Sequence, residues 1–290
     1  METTGMQDIV RAVRIRSPFS HKGENGTVLV IGGSEHYVSA PALSALAAIR
    51  TGIDLIQVAA PEKAAYAINS FSIDFITKKY KGREFHPRHV KELAAFAKTF
   101  DVVLIGPGLG KSVKIKKFVN DFMRAYTGKI VVDADALQQL EHKNIRGLLT
   151  PHRKEFETLF GKLPHDGNVE KLAAIVKAAA KKCKCTILLK GRTDIISDGK
   201  SVKVNPLGNA GMTIGGTGDV LAGMCAGFMA QGAEAQDAAS AAVLVMCTIG
   251  DHLLEKFGYG FVSSDFIPLI PQAIFGRTEI KEKIAKAEKR

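Results

Sequence analysis

A glycine-rich stretch in the C-terminal third of the chain ends in a single carboxylate. Residues 208–219 read Gly-Asn-Ala-Gly-Met-Thr-Ile-Gly-Gly-Thr-Gly-Asp, and an apolar, Ala-rich helical pattern follows from Val220. Glycines let a backbone turn sharply and approach a ligand closely. The amide groups and dipole of a first helical turn favour an anion, most often a phosphate. The stretch therefore predicts a phosphate site.

Asp219 is the residue in this stretch that could carry out chemistry. A carboxylate is an ordinary N-cap for a helix, but next to a phosphate it is repelled. We therefore expect Asp219 to be a general base that accepts a proton from a hydroxyl being phosphorylated. Gly218, immediately before it, is expected to adopt a positive φ and to leave the space that a phosphate needs.

The rest of the chain alternates strand and helix patterns, and this alternation predicts an α/β layered fold with a mostly parallel sheet flanked by helices. Apolar runs that end in glycine or aspartate are typical of parallel strands buried on both faces. The strand segments are expected at 27–33, 53–60, 101–106, 130–135, 148–151 and 186–191, followed by a hairpin over 193–205; the helices are expected at 40–52, from Pro61, at 170–182, at 236–257 and from Ser263.

Four glycine clusters follow predicted strands, at 32–33, 106–110, 190–191 and 215–218. Ligands of open parallel sheets bind outside the carboxyl ends of the strands. We therefore expect the four clusters to line one site. The cluster at 106–110 spaces its glycines as G-x-G-x-G, which does not match the G-x-G-x-x-G of a dinucleotide-binding dehydrogenase.

Gly-Gly-Thr-Gly-Asp before an apolar helix resembles the anion hole and catalytic base of the ribokinase-like superfamily. Residues 209–223 most resemble one branch, the ADP- or ATP-dependent NAD(P)H-hydrate dehydratases. The resemblance covers roughly residues 8–275 and implies a ribokinase-like fold. It also implies that Gly216, Thr217 and Gly218 bind the nucleotide and that Asp219 faces the substrate.

Two further segments resemble the substrate pocket of this family. Gly-Pro-Gly-Leu-Gly at 106–110 implies a substrate contact at Gly108, and the loop from Tyr37 to Pro41 implies one at Ala40. The family usually has Gly-Ala where this chain has Ser39 and Ala40.

Thr150-Pro151-His152 is followed by Glu155, where sugar kinases of the superfamily carry Asn-x-x-Glu. The histidine resembles the dehydratase branch and implies that His152 meets the substrate. Glu155 is predicted to hold Mg²⁺ through water, because Mg²⁺ keeps several waters and uses few carboxylates.

The segment after the strand at 186–189 matches the family segment that runs along the nucleotide. The implied nucleotide-binding residues are Lys190, Gly191, Arg192, Thr193 and Asp194. Asp133 and Asp135 end another predicted strand at the same edge; a capping, structural or metal-linked role is left open for them, and neither belongs to the predicted site.

The implied reaction is the ADP- or ATP-dependent dehydration of the S epimer of hydrated NADH or NADPH, called NADHX and NADPHX, back to NAD(P)H. The C6 hydroxyl is phosphorylated and phosphate is then eliminated. The main alternative is a ribokinase-like small-molecule kinase acting on a thiazole, vitamin or sugar-type substrate. A nucleotide-binding regulator without turnover and a basic RNA-associated protein are the other classes considered.

Composition sets limits on the partners. The 290 residues carry a net charge of +11, which suits a polyanionic substrate such as a dinucleotide or ADP. The Lys and Arg residues are scattered without interleaved aromatics, which argues against nucleic acid. No apolar run reaches about 18 residues and the N-terminus lacks an apolar signal core, so we expect no membrane segment and a cytoplasmic location.

We expect one domain over residues 1–290, with a charged helical tail at 279–290. The family resemblance implies a homo-oligomer, a tetramer. It also implies a separate epimerase protein, since the chain is too short to hold an epimerase domain as well.

Overall fold

The computed structural model describes residues 1–282. Ten strands form one sheet in the order β1-β10-β9-β8-β7-β6-β5-β2-β3-β4. Their bounds are β1 Glu2–Thr3, β2 Thr27–Ile31, β3 Leu55–Pro61, β4 Ile76–Tyr80, β5 Val102–Ile105, β6 Lys129–Val132, β7 Leu148–Leu149, β8 Thr186–Leu189, β9 Asp194–Ser197 and β10 Val202–Asn205.

Every strand pair in the described residues is parallel except the two that involve β9. The central strands are mostly apolar, as expected where helices cover both faces of the sheet. β9 and β10 form the predicted hairpin, and Gly199 takes a φ of +86° in its turn. The predicted α/β class with a mostly parallel sheet is confirmed.

Eleven α-helices have both ends within residues 1–282, and residues 278–282 are also helical. The eleven are α1 Met6–Ala12, α2 Ser39–Arg50, α3 Glu62–Asn69, α4 Val90–Ala97, α5 Val113–Ala125, α6 Ala134–Gln139, α7 Arg153–Phe160, α8 Val169–Cys183, α9 Thr217–Ala230, α10 Ala235–Phe257 and α11 Phe266–Phe275. One buried cluster joins the sheet to α1, α2, α3, α9, α10 and α11. A second cluster joins the opposite face to α4 through α8.

Helix α9 is held against α2 by two glycines one turn apart. A Cβ at Gly223 would lie 2.2 Å from the Ser44 carbonyl oxygen, and one at Gly227 would lie 2.3 Å from Thr51 Oγ1. A side chain at either position would therefore force the two helices apart. This direct backbone contact determines where the N-terminus of α9 lies over the sheet.

Several details differ from the sequence-based expectation, and helices α4, α6 and α7 were not predicted. Pro61 ends β3 and precedes α3 as its N-cap, so it is not the first helical residue. The two edge strands β1 and β4 were not predicted. β1 has only two residues, and β4 reads Ile-Thr-Lys-Lys-Tyr with Ile76 exposed, so neither shows the apolar pattern of a central strand.

The stretch Ala235–Gly260 is long and apolar enough to cross a membrane, but 72% of its most apolar window is buried inside the fold. It contains α10, which packs against α1 and α9 as a core helix. Most of the predicted charged tail at 279–290 lies outside the described residues.

Candidate functional site

The glycine-rich stretch forms a turn that leads directly into α9. Gly216 is the N-cap and has a φ of 98°, in the left-handed region. A Cβ there would lie 2.5 Å from Ser263 Oγ and 2.8 Å from Leu43 Cδ1, so the position requires glycine for both backbone and space.

One expectation about this turn, the positive φ of Gly218, is wrong. Gly216 is the N-cap of α9, and Asp219 is the third residue of the helix. Gly218 lies inside the helix and does not have a positive φ. A Cβ at 218 would lie 3.3 Å from the Lys190 Nζ atom, so the lysine lies close against the first turn of α9.

Polar side chains brace the turn from within. Thr217 Oγ1 lies 2.9 Å from both the Met212 and the Ile214 carbonyl oxygens, so its hydroxyl holds the loop. Asn209 accepts a hydrogen bond from the Gly211 amide and donates one to Asp251 on α10. The first amides of α9 have no partners within the helix. They therefore remain available to an anion in front of a rigid turn.

Asp219 is half-buried, and its carboxylate accepts no hydrogen bond from any residue between 1 and 282. Burial raises the pKa of Asp219 to about 7. The negative charge of Asp133 is the next cause, and Asp135 and Glu155 act in the same direction, while Lys190 opposes them. The group is thus an unpaired carboxyl whose pKa suits proton transfer near neutral pH.

Lys190 follows β8 and reaches the same place. Its ammonium donates to Asp133 Oδ1 at 3.0 Å. Burial lowers the pKa of Lys190, but the charges of Asp133, Glu155 and Asp219 outweigh burial and raise it. The lysine is therefore a fixed cation directly beside the first turn of α9.

His152 and Glu155 form a reciprocal cap at the start of α7. The Glu155 amide donates to His152 Nδ1 at 3.2 Å, and the His152 amide donates to Glu155 Oε2 at 2.9 Å. His152 Nε2 lies 3.4 Å from Glu155 Oε1. Since Nδ1 accepts a hydrogen bond, the proton of a neutral imidazole lies on Nε2. Half of the His152 side chain remains exposed.

Glu155 is 4% exposed, so its carboxylate belongs to the interior of the site. Burial raises the pKa of Glu155, and the charge of Asp133 adds to this, while Lys190 and His152 lower it. The backbone joins this segment to the lysine segment, because the Lys190 amide donates to the Pro151 carbonyl at 2.9 Å.

The remaining predicted nucleotide residues lie just past Lys190. The Gly191 amide donates to Asp194 Oδ1 at 3.0 Å and closes a short turn. Burial raises the pKa of Asp194 to about 6, against hydrogen bonds from Gly191 and Asn205 that lower it. Arg192 is exposed and Thr193 is half-buried, both on the same turn.

The predicted substrate residues Ala40 and Gly108 lie side by side. A Cβ at Gly108, whose φ is +67°, would lie 3.5 Å from the Ala40 Cβ and 2.9 Å from the Tyr37 carbonyl oxygen. Asp135 Oδ2 accepts a hydrogen bond from the Gly110 amide at 2.9 Å and holds the glycine loop from its other side.

The helix that carries Ala40 is tied to the helix that carries Asp219. Ser44 Oγ donates to the Asp219 carbonyl oxygen at 3.0 Å. The structure therefore brings the segments that carry Ala40, Gly108, Lys190 and Asp219 to one edge of the sheet. Asp219 lies between the Lys190 side and the Ala40 side of this edge.

Asp133 is the member of this cluster that the sequence-based prediction left out. It is 1% exposed, and its Oδ1 accepts hydrogen bonds from both Thr150 Oγ1 and Lys190 Nζ. The available signal was its position directly after an apolar strand at the same sheet edge. No local pattern shows that Lys190, 57 residues away, is its partner.

The order of strands and the glycine-rich start of α9 define the class of the protein as an α/β protein of the ribokinase-like fold. The profile of the NAD(P)H-hydrate dehydratase family matches residues 28–272. The chain belongs to this family.

Individual relatives agree with this membership. A bifunctional NAD(P)H-hydrate repair enzyme Nnr of Pyrobaculum aerophilum is 42% identical over 259 residues, which are 88% of this chain and 52% of the relative. The chain thus spans about half the length of such curated relatives. An ADP-dependent (S)-NAD(P)H-hydrate dehydratase of Cenarchaeum symbiosum is 36% identical, over 95% of this chain and 98% of the relative.

A solved structure is similar over nearly the whole chain. An ADP/ATP-dependent NAD(P)H-hydrate dehydratase of Bacillus subtilis, co-crystallised with ATP and Mg²⁺, superposes with a TM-score of 0.79 at 25% identity. The superposition covers 94% of this chain and 98% of that one. The resemblance deduced from the glycine-rich stretch is confirmed.

Proposed function

We propose that this chain catalyses the ADP- or ATP-dependent dehydration of the S epimer of hydrated NADH or NADPH. The observation that carries the proposal is the Asp219 carboxyl, unpaired within residues 1–282, in the first turn of α9, where the anion site predicted from the glycines begins. Support also comes from the relative of Cenarchaeum symbiosum, which matches this chain over nearly its full length and is named for this reaction.

In the proposed first step, Asp219 takes the proton of the C6 hydroxyl while the hydroxyl oxygen attacks the terminal phosphorus of the nucleotide. The bond between that phosphorus and the remaining nucleotide breaks. In the second step the lone pair of the ring nitrogen expels phosphate from C6, and C5 loses a proton as the ring double bond re-forms. A pKa of about 7 makes Asp219 a competent base at neutral pH.

The other predicted residues divide between the two ligands. The amides at Gly216, Thr217 and Gly218 face the transferring phosphoryl group, and Lys190 supplies a positive charge beside them. The nucleotide continues along the turn from Gly191 to Asp194. The proposed substrate residues on the other side of Asp219 are Ala40, Gly108 and His152.

Mg²⁺ fits this site as an ion held mainly by phosphates and water. No group of three or more His, Cys, Asp or Glu side chains within residues 1–282 could hold a metal unaided. Mg²⁺ requires few protein carboxylates, and the buried Glu155 is the proposed water-mediated anchor. When bound, Mg²⁺ neutralises phosphate charge.

The remaining predictions about the whole protein are part of this proposal. They are a single domain, a homo-oligomeric assembly of four copies, a separate epimerase that interconverts the two epimers, and a cytoplasmic location.

The test is a spectroscopic assay of the purified protein with the S epimer of hydrated NADH and either ADP or ATP. Return of the reduced-nicotinamide absorbance, with one equivalent of phosphate released, is the expected result and identifies the donor. A stable phosphorylated product would instead indicate a small-molecule kinase. Nucleotide binding without consumption of either ligand would indicate a regulator.

A further inference from the structure

Asp133 lies at the centre of the site, although no proposed step so far uses it. It follows β6, is 1% exposed, and presents Oδ1 to two donors. Thr150 Oγ1 donates at 2.7 Å and Lys190 Nζ at 3.0 Å. Thr150 is itself 0% exposed. The carboxylate therefore has one fixed orientation, with its charge directed at the lysine.

The backbone around Asp133 is constrained to an unusual degree. A Cβ at Gly106, the residue after β5, would lie 1.8 Å from the Asp133 carbonyl oxygen. Position 106 must therefore be glycine. Ala134 has a φ of +49°, one of two non-glycine residues in the described chain with positive φ. Residues held in such conformations concentrate at functional sites.

The partner of Asp133 is a side chain that would otherwise be mobile. A lysine has four methylene groups and three rotatable donors, and it positions a charge only when something holds its end. The Lys190 Nζ atom lies 3.3 Å from the place that a Cβ on Gly218 would take. The Lys190 side chain is 20% exposed. The ammonium therefore lies beside the first turn of α9, whose first amides have no partners within the helix.

We propose that Asp133 is a positioning residue for phosphoryl transfer. Its carboxylate fixes the Lys190 ammonium in front of α9, so that the terminal phosphate of a nucleoside diphosphate or triphosphate meets a cation already in place. It also adds a negative charge next to the base Asp219. The inference rests on the proposed function in one respect, the identification of the anion as a nucleotide phosphate.

The same charge acts on the base. The charged groups that act on Asp219 are Asp133 and Asp135 at the start of α6, Glu155 in α7 and Lys190 after β8. Asp133 is the largest of the charged causes that raise the pKa of Asp219. Its removal lowers that pKa, and a lysine released from Asp133 and free to pair with Asp219 lowers it further.

The experiment uses Asp133→Asn, with ADP and adenosine binding measured by calorimetry in the presence of Mg²⁺. Asparagine keeps the shape and an acceptor for Thr150 but loses the charge that holds Lys190. Loss of one well-placed charge-assisted contact predicts about tenfold weaker ADP binding, with adenosine binding unchanged. The acid limb of the pH–rate profile moves to lower pH.

The matched control is Asp8→Asn at the far edge of the sheet. Lys203 Nζ lies 2.5 Å from Asp8 Oδ1, and the side chains are 9% and 4% exposed, against 20% and 2% for Lys190 and Asp133. This variant also breaks a buried lysine–aspartate pair. It is expected to lower the melting temperature while leaving the ratio of ADP to adenosine affinity and the pH profile unchanged.

An Asp133→Asn protein that loses stability like the control, with an unchanged affinity ratio and pH profile, would overturn the proposal and leave a structural ion pair. If Asp133→Asn does not fold, Thr150→Val replaces it, because it removes one hydrogen bond of Asp133 and keeps the charges. A loss of ADP affinity in Thr150→Val that is smaller than the tenfold loss expected for Asp133→Asn supports the proposal. An unchanged ADP affinity overturns it. The comparison of ADP and adenosine binding does not require turnover. It therefore tests the role of Asp133 even if the assay with hydrated NADH shows no dehydration.

Discussion

The ammonium of Lys190 and the backbone of Gly218 lie so close that a single methyl group on Gly218 would touch the lysine, at 3.3 Å. The two residues come from segments that are far apart in sequence, the end of β8 and the first turn of α9. Their contact places a fixed cation beside a set of helix amides without hydrogen-bond partners in the helix. This pair of features supports the proposed phosphate site, and Asp219 is the next residue along the helix.

Asp219→Asn is expected to reduce turnover by a factor of about 10² to 10⁴, the usual effect of removing a general base. The carboxylate makes no hydrogen bond within residues 1–282, so the fold does not depend on it. ADP affinity should therefore remain close to that of the wild type. The measurement is the steady-state rate with hydrated NADH, with ADP titration as the binding control. A near-native rate would remove Asp219 from the mechanism.

The wild-type rate should fall as the pH drops below about 7, the pKa to which burial and Asp133 raise the Asp219 carboxyl. The base must be ionised to accept a proton, so kcat/KM is expected to lose a factor of about ten per pH unit on this limb. A profile that stays flat down to pH 5 would contradict this assignment.

The same pKa predicts a dependence of stability on pH. The carboxyl changes from an ordinary value of 3.8 to about 7 on folding, so between these values the folded state binds more protons than the unfolded state. Its contribution to stability is therefore lost as the pH rises from about 4 to 7. Asp219→Asn should melt at a higher temperature than the wild type at pH 8, and the difference should disappear near pH 4. A constant difference across this range would argue against the raised pKa.

Gly218→Ala is expected to weaken ADP binding by about tenfold or more, because the new methyl group meets Lys190 Nζ and enters the phosphate space. The fold should tolerate the change, since alanine favours a helix more than glycine does.

Gly215→Ala is the matched control for this change. A Cβ at Gly215 meets nothing within 4 Å, and its φ is not positive. Calorimetry should show ADP affinity near the wild-type value for Gly215→Ala. Equal losses in the two variants would mean that the phosphate does not approach Gly218.

His152→Ala should have two separable effects. Loss of the N-cap of α7 destabilises the protein by about 1 kcal/mol, because the Glu155 amide loses its acceptor. Loss of the half-exposed ring is expected to raise KM for hydrated NADH more than KM for the nucleotide.

His152→Asn separates the two effects, because asparagine is a good N-cap. It should restore the melting temperature but not the KM for hydrated NADH. If asparagine restores both, the histidine serves the helix alone. If the KM for the nucleotide or the Mg²⁺ dependence changes instead, His152 acts on the nucleotide and its Mg²⁺ rather than on hydrated NADH.

Much of the fold was determined by the sequence in a local, readable form. Central parallel strands buried on both faces require continuous apolar runs, as in Thr27–Ile31 and Thr186–Leu189, and these were predicted within a residue or two. The edge strands carry no such requirement, because one side of β4 pairs with nothing in the described sheet. Its lysines gave no strand signal.

The chemistry was also readable where it depends on neighbouring residues. A glycine-rich turn followed by a helix predicts an anion site from backbone geometry alone, and the carboxylate in that turn is a candidate base from its type and position. The family membership followed from the same residues, 209–223.

Only the tertiary structure decided how the separate segments meet. Ser263 and Leu43 approach Gly216 from other elements and leave no room for a side chain there, and Lys190 is fixed by Asp133, which itself is held by Thr150. Such contacts join residues 17 or 57 positions apart. No local pattern encodes them, since the distance between two strand ends depends on the order of strands in the sheet and on the packing of the helices that cover it.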